Sequence, residues 1–267
     1  QYDALLEVEW RERTSIAILS ELTASLPDAH QYTGIYREWE LQRPYRRGAE
    51  AASHDYPDYR RIRFKRFIDD ILRDLPTNLI NEWQRRLQAA EKALPEYQRQ
   101  MSIYAYLEPD PYSEVHIPYS YEKAQIGLIL QGQYYLLPIY VPGTDQPLNA
   151  EEVRSQIAAL WEESGSGSPS LMEMATIQRA SQSKLRDKLS PNLQGALEKL
   201  RYAPILINAD RRPNHWPLTQ IRQTERGVGD HALTIFETDR SVVFDQSHIF
   251  FDGILGSALA EIMTNEA

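Results

Sequence analysis

Apolar residues in the first hundred positions recur at the helical period. Leu5, Leu6, Trp10, Ile16, Leu19 and Leu22 fall on one face of a first predicted helix. Ile62, Phe64, Phe67, Ile68, Ile71, Leu72 and Leu75 line one face of a second, with Arg60, Arg61, Arg63, Lys65 and Arg66 on the remaining surface. Asp58 is its expected N-cap and Pro76 its end. A third helix is expected from Thr77, turning Leu79, Ile80, Trp83, Leu87 and Ala90 inward and stopping before Pro95. Residues 28 to 59, rich in Tyr, Arg and Pro with little periodicity, read as loop.

From about Ser102 the pattern changes to short apolar runs separated by turn residues. Ile126 to Leu130 and Tyr134 to Val141, joined at Gln131-Gly132, predict a hairpin. Asn149-Ala-Glu-Glu152 is an Asn-led capping box opening a helix whose stripe is Val153, Ile157, Leu160 and Trp161. Ser164 to Ser170, SGSGSPS, reads as a flexible surface loop. A helix through Leu185 and Leu189 follows, then one capped by Ser190 with Pro191 in its first turn, then a strand from Pro204 to Ala209. Ala232 to Thr238 and Ser241 to His248 predict an antiparallel pair joined by Asp239-Arg240. Ile254, Leu255, Ala258, Leu259, Ile262 and Met263 then describe an amphipathic helix with Asp252 placed to cap it. The expected fold class is therefore α/β, a two-layer sandwich with a mixed, largely antiparallel sheet and covering helices. The expected organisation is a mostly helical region over 1–100 and an α/β core over 101–267.

Composition narrows the chemistry. Of 267 residues, 25% are charged and 42% hydrophobic, enough for a substantial core. With 29 basic against 38 acidic residues the net charge is −9, which disfavours nucleic acid and anionic membrane surfaces as partners. There is no cysteine, so disulfides, thiolate metal sites and a cysteine nucleophile are excluded. No apolar run approaches the roughly 20 residues a membrane span requires, and the first 30 residues lack a signal-peptide plan, so a cytoplasmic location is expected. The six histidines, His30, His54, His116, His215, His231 and His248, show no metal-ligand spacing, and no metal is expected. Phosphate-loop, dinucleotide and hydrolase-elbow motifs are missing as well.

One segment carries a chemical rationale: His248-Ile-Phe-Phe-Asp252-Gly253. A neutral imidazole at a strand end is a good general base near neutral pH. Asp252 has two available roles, fixing the His248 tautomer or pairing with a distant Arg to hold the turn. Gly253 permits a tight turn where a ligand approaches. The competing reading is a core histidine beside a helix N-cap.

The stretch from Gln125 to Met263 resembles the choline/carnitine O-acyltransferase family. The matching features are Ile129-Leu-Gln-Gly132-Gln-Tyr134-Tyr135-Leu-Leu-Pro-Ile139, the helix start Pro147-Leu-Asn-Ala-Glu-Glu152, Thr176 and Arg179 ahead of a helix, and the short helix and strand from Leu197 to Asp210. The G-x-G turn at Gly227 and Gly229 and the closing H-x-x-x-D-G complete them, the last shared with the wider CoA-dependent acyltransferase superfamily. Three features depart from the family: Gly229 runs directly into Asp230-His231-Ala232 without the family's intervening loop, Ile249 replaces a small hydroxyl residue, and Ser247 replaces a frequent acid.

The resemblance implies a chloramphenicol-acetyltransferase-like half-fold in which His248 is the catalytic base, deprotonating an acceptor hydroxyl for attack on an acyl-CoA thioester. Asp252 would orient or support it. Acyl-CoA would be a co-substrate, no covalently bound cofactor is implied, and the acceptor would be a small alcohol such as carnitine or choline. Phe244, Phe250 and Phe251 would either wall a water-poor tunnel or pack an ordinary core. The family's second half, with its CoA-binding lysines and oxyanion-stabilising Ser-Thr-Ser segment, has no counterpart in this sequence. The expectation is a histidine-bearing N-terminal half, a truncated or split enzyme completed by another chain or domain. Two alternatives stand beside it: a non-catalytic acyltransferase-like scaffold subunit, and an enzyme that takes acyl-carrier-protein thioesters as condensation domains do.

Overall fold

The computed structural model describes residues 2–44, 56–109, 114–144, 146–162, 167–168, 170–251 and 253–265. The chain divides into two compact units, Gln1–Met101 together with Asp252–Ala267, and Ser102–Phe251.

The first unit is helical. Helix α1 spans Tyr2–Thr23, α2 Ile35–Gln42, α3 Tyr56–Leu72, α4 Thr77–Ala90 and α5 Leu94–Gln100. The apolar stripe of α1 is buried at Leu5, Leu6, Trp10, Ile16 and Leu19. Segment 28–59 is not simply loop, because Ile35 and Trp39, one helical turn apart, give α2 a buried edge that meets Ile16, Leu19 and Ile68. Trp39 meets Phe64 edge to face and Phe67 at a tilt, with ring centroids 5.0 and 5.3 Å away. Helix α3 begins two residues before the expected cap, so Asp58 lies in its first turn and pairs with Arg61. Pro95 does not merely stop the preceding helix; it occupies the first turn of α5, where its missing N–H costs nothing.

A charge cluster sits inside this unit. Arg60 of α3, 1% exposed, donates from Nε to Glu12 at 2.8 Å, from Nη2 to the other Glu12 oxygen at 2.6 Å, and to Glu9. Glu9 also accepts from Arg13 at 2.9 Å. Burial, partly offset by the Arg60 guanidinium, holds the Glu12 carboxyl above its ordinary value of 4.5.

The second unit is built on strands. A two-stranded antiparallel sheet pairs β1 (Ala105–Pro109) with β2 (Glu114–Pro118). A five-stranded sheet follows, from β3 (Gln125–Leu130), β4 (Gln133–Pro138), β5 (Ile205–Arg212), β6 (Leu233–Thr238) and β7 (Val242–Gln246), in the order β4-β3-β5-β6-β7. Its outer pairs are antiparallel hairpins, as their turn chemistry predicted, but β5 is parallel to both neighbours. The largely antiparallel expectation is thus corrected at the centre of the sheet. The physical cause lies in the connections: after β4 the chain runs through α6 (Ala150–Glu162), α7 (Met172–Ala175), α8 (Arg179–Arg186) and α9 (Pro191–Leu200), long enough to bring β5 back beside β3 in the direction of β3, and residues 213–232 form a second crossover that sets β6 parallel to β5.

Local signals set the ends of these elements. Gln131 and Gly132 both have positive φ, 52° and 71°, the combination a two-residue hairpin turn needs, and the Asp210 carboxylate accepts from both backbone N–H groups. Asn149 and Glu152 exchange reciprocal 2.9 Å bonds, the capping box read from sequence. Alternate residues of β3 feed different clusters: Ile129 packs with Leu197, Leu200 and Leu206, whereas Leu128 and Leu130 pack with Ile157 and Leu160 of α6. Trp161, read as part of that stripe, is exposed. A short helix α10 (Leu218–Ile221) precedes β6, and α11 (Gly253–Asn265) groups with the helical unit rather than with the sheet.

Replacing Arg60 by Leu leaves Glu9 and Glu12 buried without their shared partner, and the expected loss is about 3–5 kcal/mol of unfolding free energy in urea titration. The exposed Lys65–Asp69 pair is the control and its removal should change little. Because folding raises the Glu12 pKa, the folded state holds that proton more tightly than the unfolded chain. Its contribution is full below pH 4.5 and declines as pH rises through the folded value. The Glu12→Gln protein should therefore lose less stability than wild type as pH rises from 4.5 through the folded value, and identical slopes would exclude Glu12 as the titrating group.

Candidate functional site

His248 lies in the turn that follows β7, two residues beyond the strand's end. The turn is tight because the Ser247 carbonyl accepts from the backbone N–H groups of Phe250 at 3.0 Å and Phe251 at 3.1 Å. Ser247 N–H in turn donates to Ala232 at 2.9 Å, extending the β6–β7 pairing by one step. Phe250 and Phe251 are buried, Phe250 edge-on to the His116 ring at 5.1 Å, and they pull the turn into the core. His248 is left exposed, with no hydrogen bond or ion pair to another described residue. Phe250 and Phe251 thus act as core anchors, while Phe244 pairs opposite Ile235 in the sheet and is half-buried.

A cleft of about 390 Å³ opens beside this turn, lined by His248, Ser247, Asp245, Arg222, Arg226 and His231, among others. Asp245 is its electrostatic centre. Its side chain is 8% exposed and takes Arg222 at 2.8 Å and Arg226 at 3.3 Å. Sequence reasoning passed over all three, because an acid in β7 and two arginines some twenty residues earlier become neighbours only through the β6–β7 register.

The wall behind the cleft is the Gly227-Val-Gly229 turn, with positive φ of 71° and 85° at its glycines. A Cβ at Gly227 would collide with the His231 ring and with Leu206, so both conformation and space demand glycine there. Tyr134 of β4 reaches across to hold this turn: its hydroxyl accepts from Gly227 N–H at 2.8 Å and donates to the Glu225 carboxylate. Ser170 also donates to Glu225, and Asn208 donates to the Glu225 carbonyl at 2.8 Å. Burial and the adjoining carboxylate raise the Tyr134 pKa well above the ordinary phenol range, so the hydroxyl stays protonated as the donor this bridge needs. The buried His231 ring bonds the Ala203 carbonyl through Nδ1 at 2.7 Å. From the segment read as a free surface loop, Ser168 pairs with the Tyr134 backbone and Ser170 joins this network. Gly167 of the same segment donates its backbone N–H to Gln133 at 3.2 Å, and positions 164–166 and 169 lie outside the described residues.

The boundary between the two units falls within the H-x-x-x-D-G segment. His248 belongs to the sheet unit, Asp252 lies outside the described residues, and Gly253 opens α11 in the helical unit. Gly253 is exposed, with nothing within 4 Å of an added Cβ. Arg179 opens α8, after Thr176 closes α7 with its hydroxyl donated to Glu173 at 2.8 Å. Among the described residues no group of three or more His, Asp or Glu side chains has a metal-binding arrangement, and no helix is long and apolar enough to cross a membrane. Comparison with protein-family models and with curated proteins finds no match for this chain.

Tyr134→Phe should strip Glu225 and Gly227 of their shared partner and lower stability by about 1–3 kcal/mol. Gly227→Ala should cost at least as much, since it adds strained φ to a steric clash. Chemical denaturation checks both, and unchanged midpoints would show that the turn is not held in this way.

Proposed function

We propose that this chain is a CoA-dependent acyltransferase of the choline/carnitine type, with His248 as general base. The observation that carries the reading is the placement of His248: an exposed imidazole on a turn anchored by two buried phenylalanines, at the mouth of a polar cleft beyond a sheet edge. An imidazole free of other bonds to described residues is available to accept a proton. In this reading β3–β7 form one layer of a two-layer sandwich and α7–α9 the other, with α6 added on the opposite face.

The reaction follows from the base. His248 takes the proton of a small alcohol such as carnitine or choline as its oxygen attacks the thioester carbonyl of acyl-CoA. A C–O bond forms, the C–S bond breaks, and the CoA thiolate leaves and regains the proton from the imidazolium. An ester and free CoA result, and no redox partner is consumed. Asp252 orients the imidazole or holds the turn.

Acyl transfer measured with acetyl-CoA and a long-chain acyl-CoA, with carnitine and choline as acceptors, alone and with any co-purifying chain, tests this. His248→Ala should lower turnover by about 10²–10⁴-fold. An unaffected rate would remove His248 from the chemistry, and tight co-purification without turnover in either protein would favour a scaffold role.

A further inference from the structure

We infer that Arg222 and Arg226 form an anion site beside His248, which holds a phosphate or carboxylate of the substrate. The Arg222 side chain is 51% exposed and that of Arg226 35%, while the Asp245 side chain between them is 8% exposed. Two guanidinium groups on one carboxylate leave a net single positive charge in a chain whose net charge is −9. Each guanidinium carries five N–H donors, more than a single shared carboxylate can accept, so both forks keep donors for a second oxyanion.

The neighbouring acids are engaged elsewhere. Glu225 is held by Tyr134 and Ser170, and Asp230 faces Arg186 at 3.5 Å. These acids therefore do not take up the guanidinium donors that Asp245 leaves open, which stay available to an anionic ligand. Asp245 preorganises the two side chains from the floor of the cleft and competes with the ligand for them. Only the step from bound anion to substrate rests on the acyl-transfer reading.

Calorimetric titration of the full chain at low salt tests the site, with coenzyme A, inorganic pyrophosphate, carnitine and choline as probes. Binding of coenzyme A and pyrophosphate identifies a phosphate, whereas binding of carnitine but not of choline, which lacks the carboxylate, identifies a carboxylate. In either case the double variant R222Q/R226Q should bind about tenfold more weakly, and wild-type affinity should fall as salt is raised. Asp245→Asn keeps the polar shape but releases both guanidinium groups, and should bind the anion more tightly, which a purely structural role for the trio does not produce. R222K/R226K, which keeps the charge and loses the fork, should fall between wild type and the glutamine pair. Circular dichroism confirms folding, and if the glutamine pair fails to fold, Asp245→Asn decides.

The site is overturned if none of the anions binds, if the folded glutamine pair binds like wild type, or if Asp245→Asn weakens binding. His248→Ala should keep anion binding. Loss of the catalytic reading, seen as turnover indifferent to His248, is thus read in a different measurement from loss of the anion site.

Discussion

Strand β5 runs parallel to both its neighbours, and this pairing governs the rest of the sheet unit. Ile205 sits between Ile126 and Leu233, and Ile207 between Leu128 and Ile235, so a single strand sets the register of both flanking hairpins. Leu206 is fully buried and packs under the Gly227 turn, while Asn208 on the same strand bonds the Glu225 carbonyl. Asp210, at its far end, closes the β3–β4 turn. Moving β5 by one residue would exchange its buried and half-buried faces and release all of these contacts together.

The candidate site is assembled on that frame from three pieces distant in sequence. β7 supplies Asp245 and the His248 turn, the segment before β6 supplies the arginines and the G-x-G turn, and β4 reaches over with Tyr134. Polar groups do most of this joining. A buried hydrogen-bonded network is costly to leave incomplete, so it specifies one arrangement of loops that apolar packing alone would leave interchangeable. The helical unit uses the same device in ionic form, with Arg60 joining α3 to two carboxylates of α1.

Much of the local structure was legible. The stripe of α1, the start of α4 at Thr77, the capping box at Asn149, the Ser190 cap with Pro191, and both hairpins follow from periodicity and turn chemistry, which act over a few residues, whereas α3 ends at Leu72, before the stop read at Pro76. Helix α2 escaped because Ile35 and Trp39 are too few to show a period. The β1–β2 ladder passed unnoticed among tyrosines that meet edge to face, such as Tyr104 and Tyr121 at 4.7 Å and Tyr119 and Tyr202 at 5.2 Å. The parallel centre of the sheet was not legible either, since strand direction depends on where a crossover lands.

What the sequence by itself determined is the inventory: a cysteine-free, acidic chain whose helices, hairpins and caps are written in short-range pattern, and a histidine at the end of a predicted strand, which the structure places two residues beyond it. Only the tertiary structure decided what surrounds that histidine. Whether Arg222 meets Asp245, whether Tyr134 braces Gly227, and whether Phe250 faces inward depend on contacts between residues from roughly twenty to more than a hundred positions apart. Such contacts form only once the chain has closed its loops, and their free energy is shared by the whole assembled sheet, so no local pattern announces them.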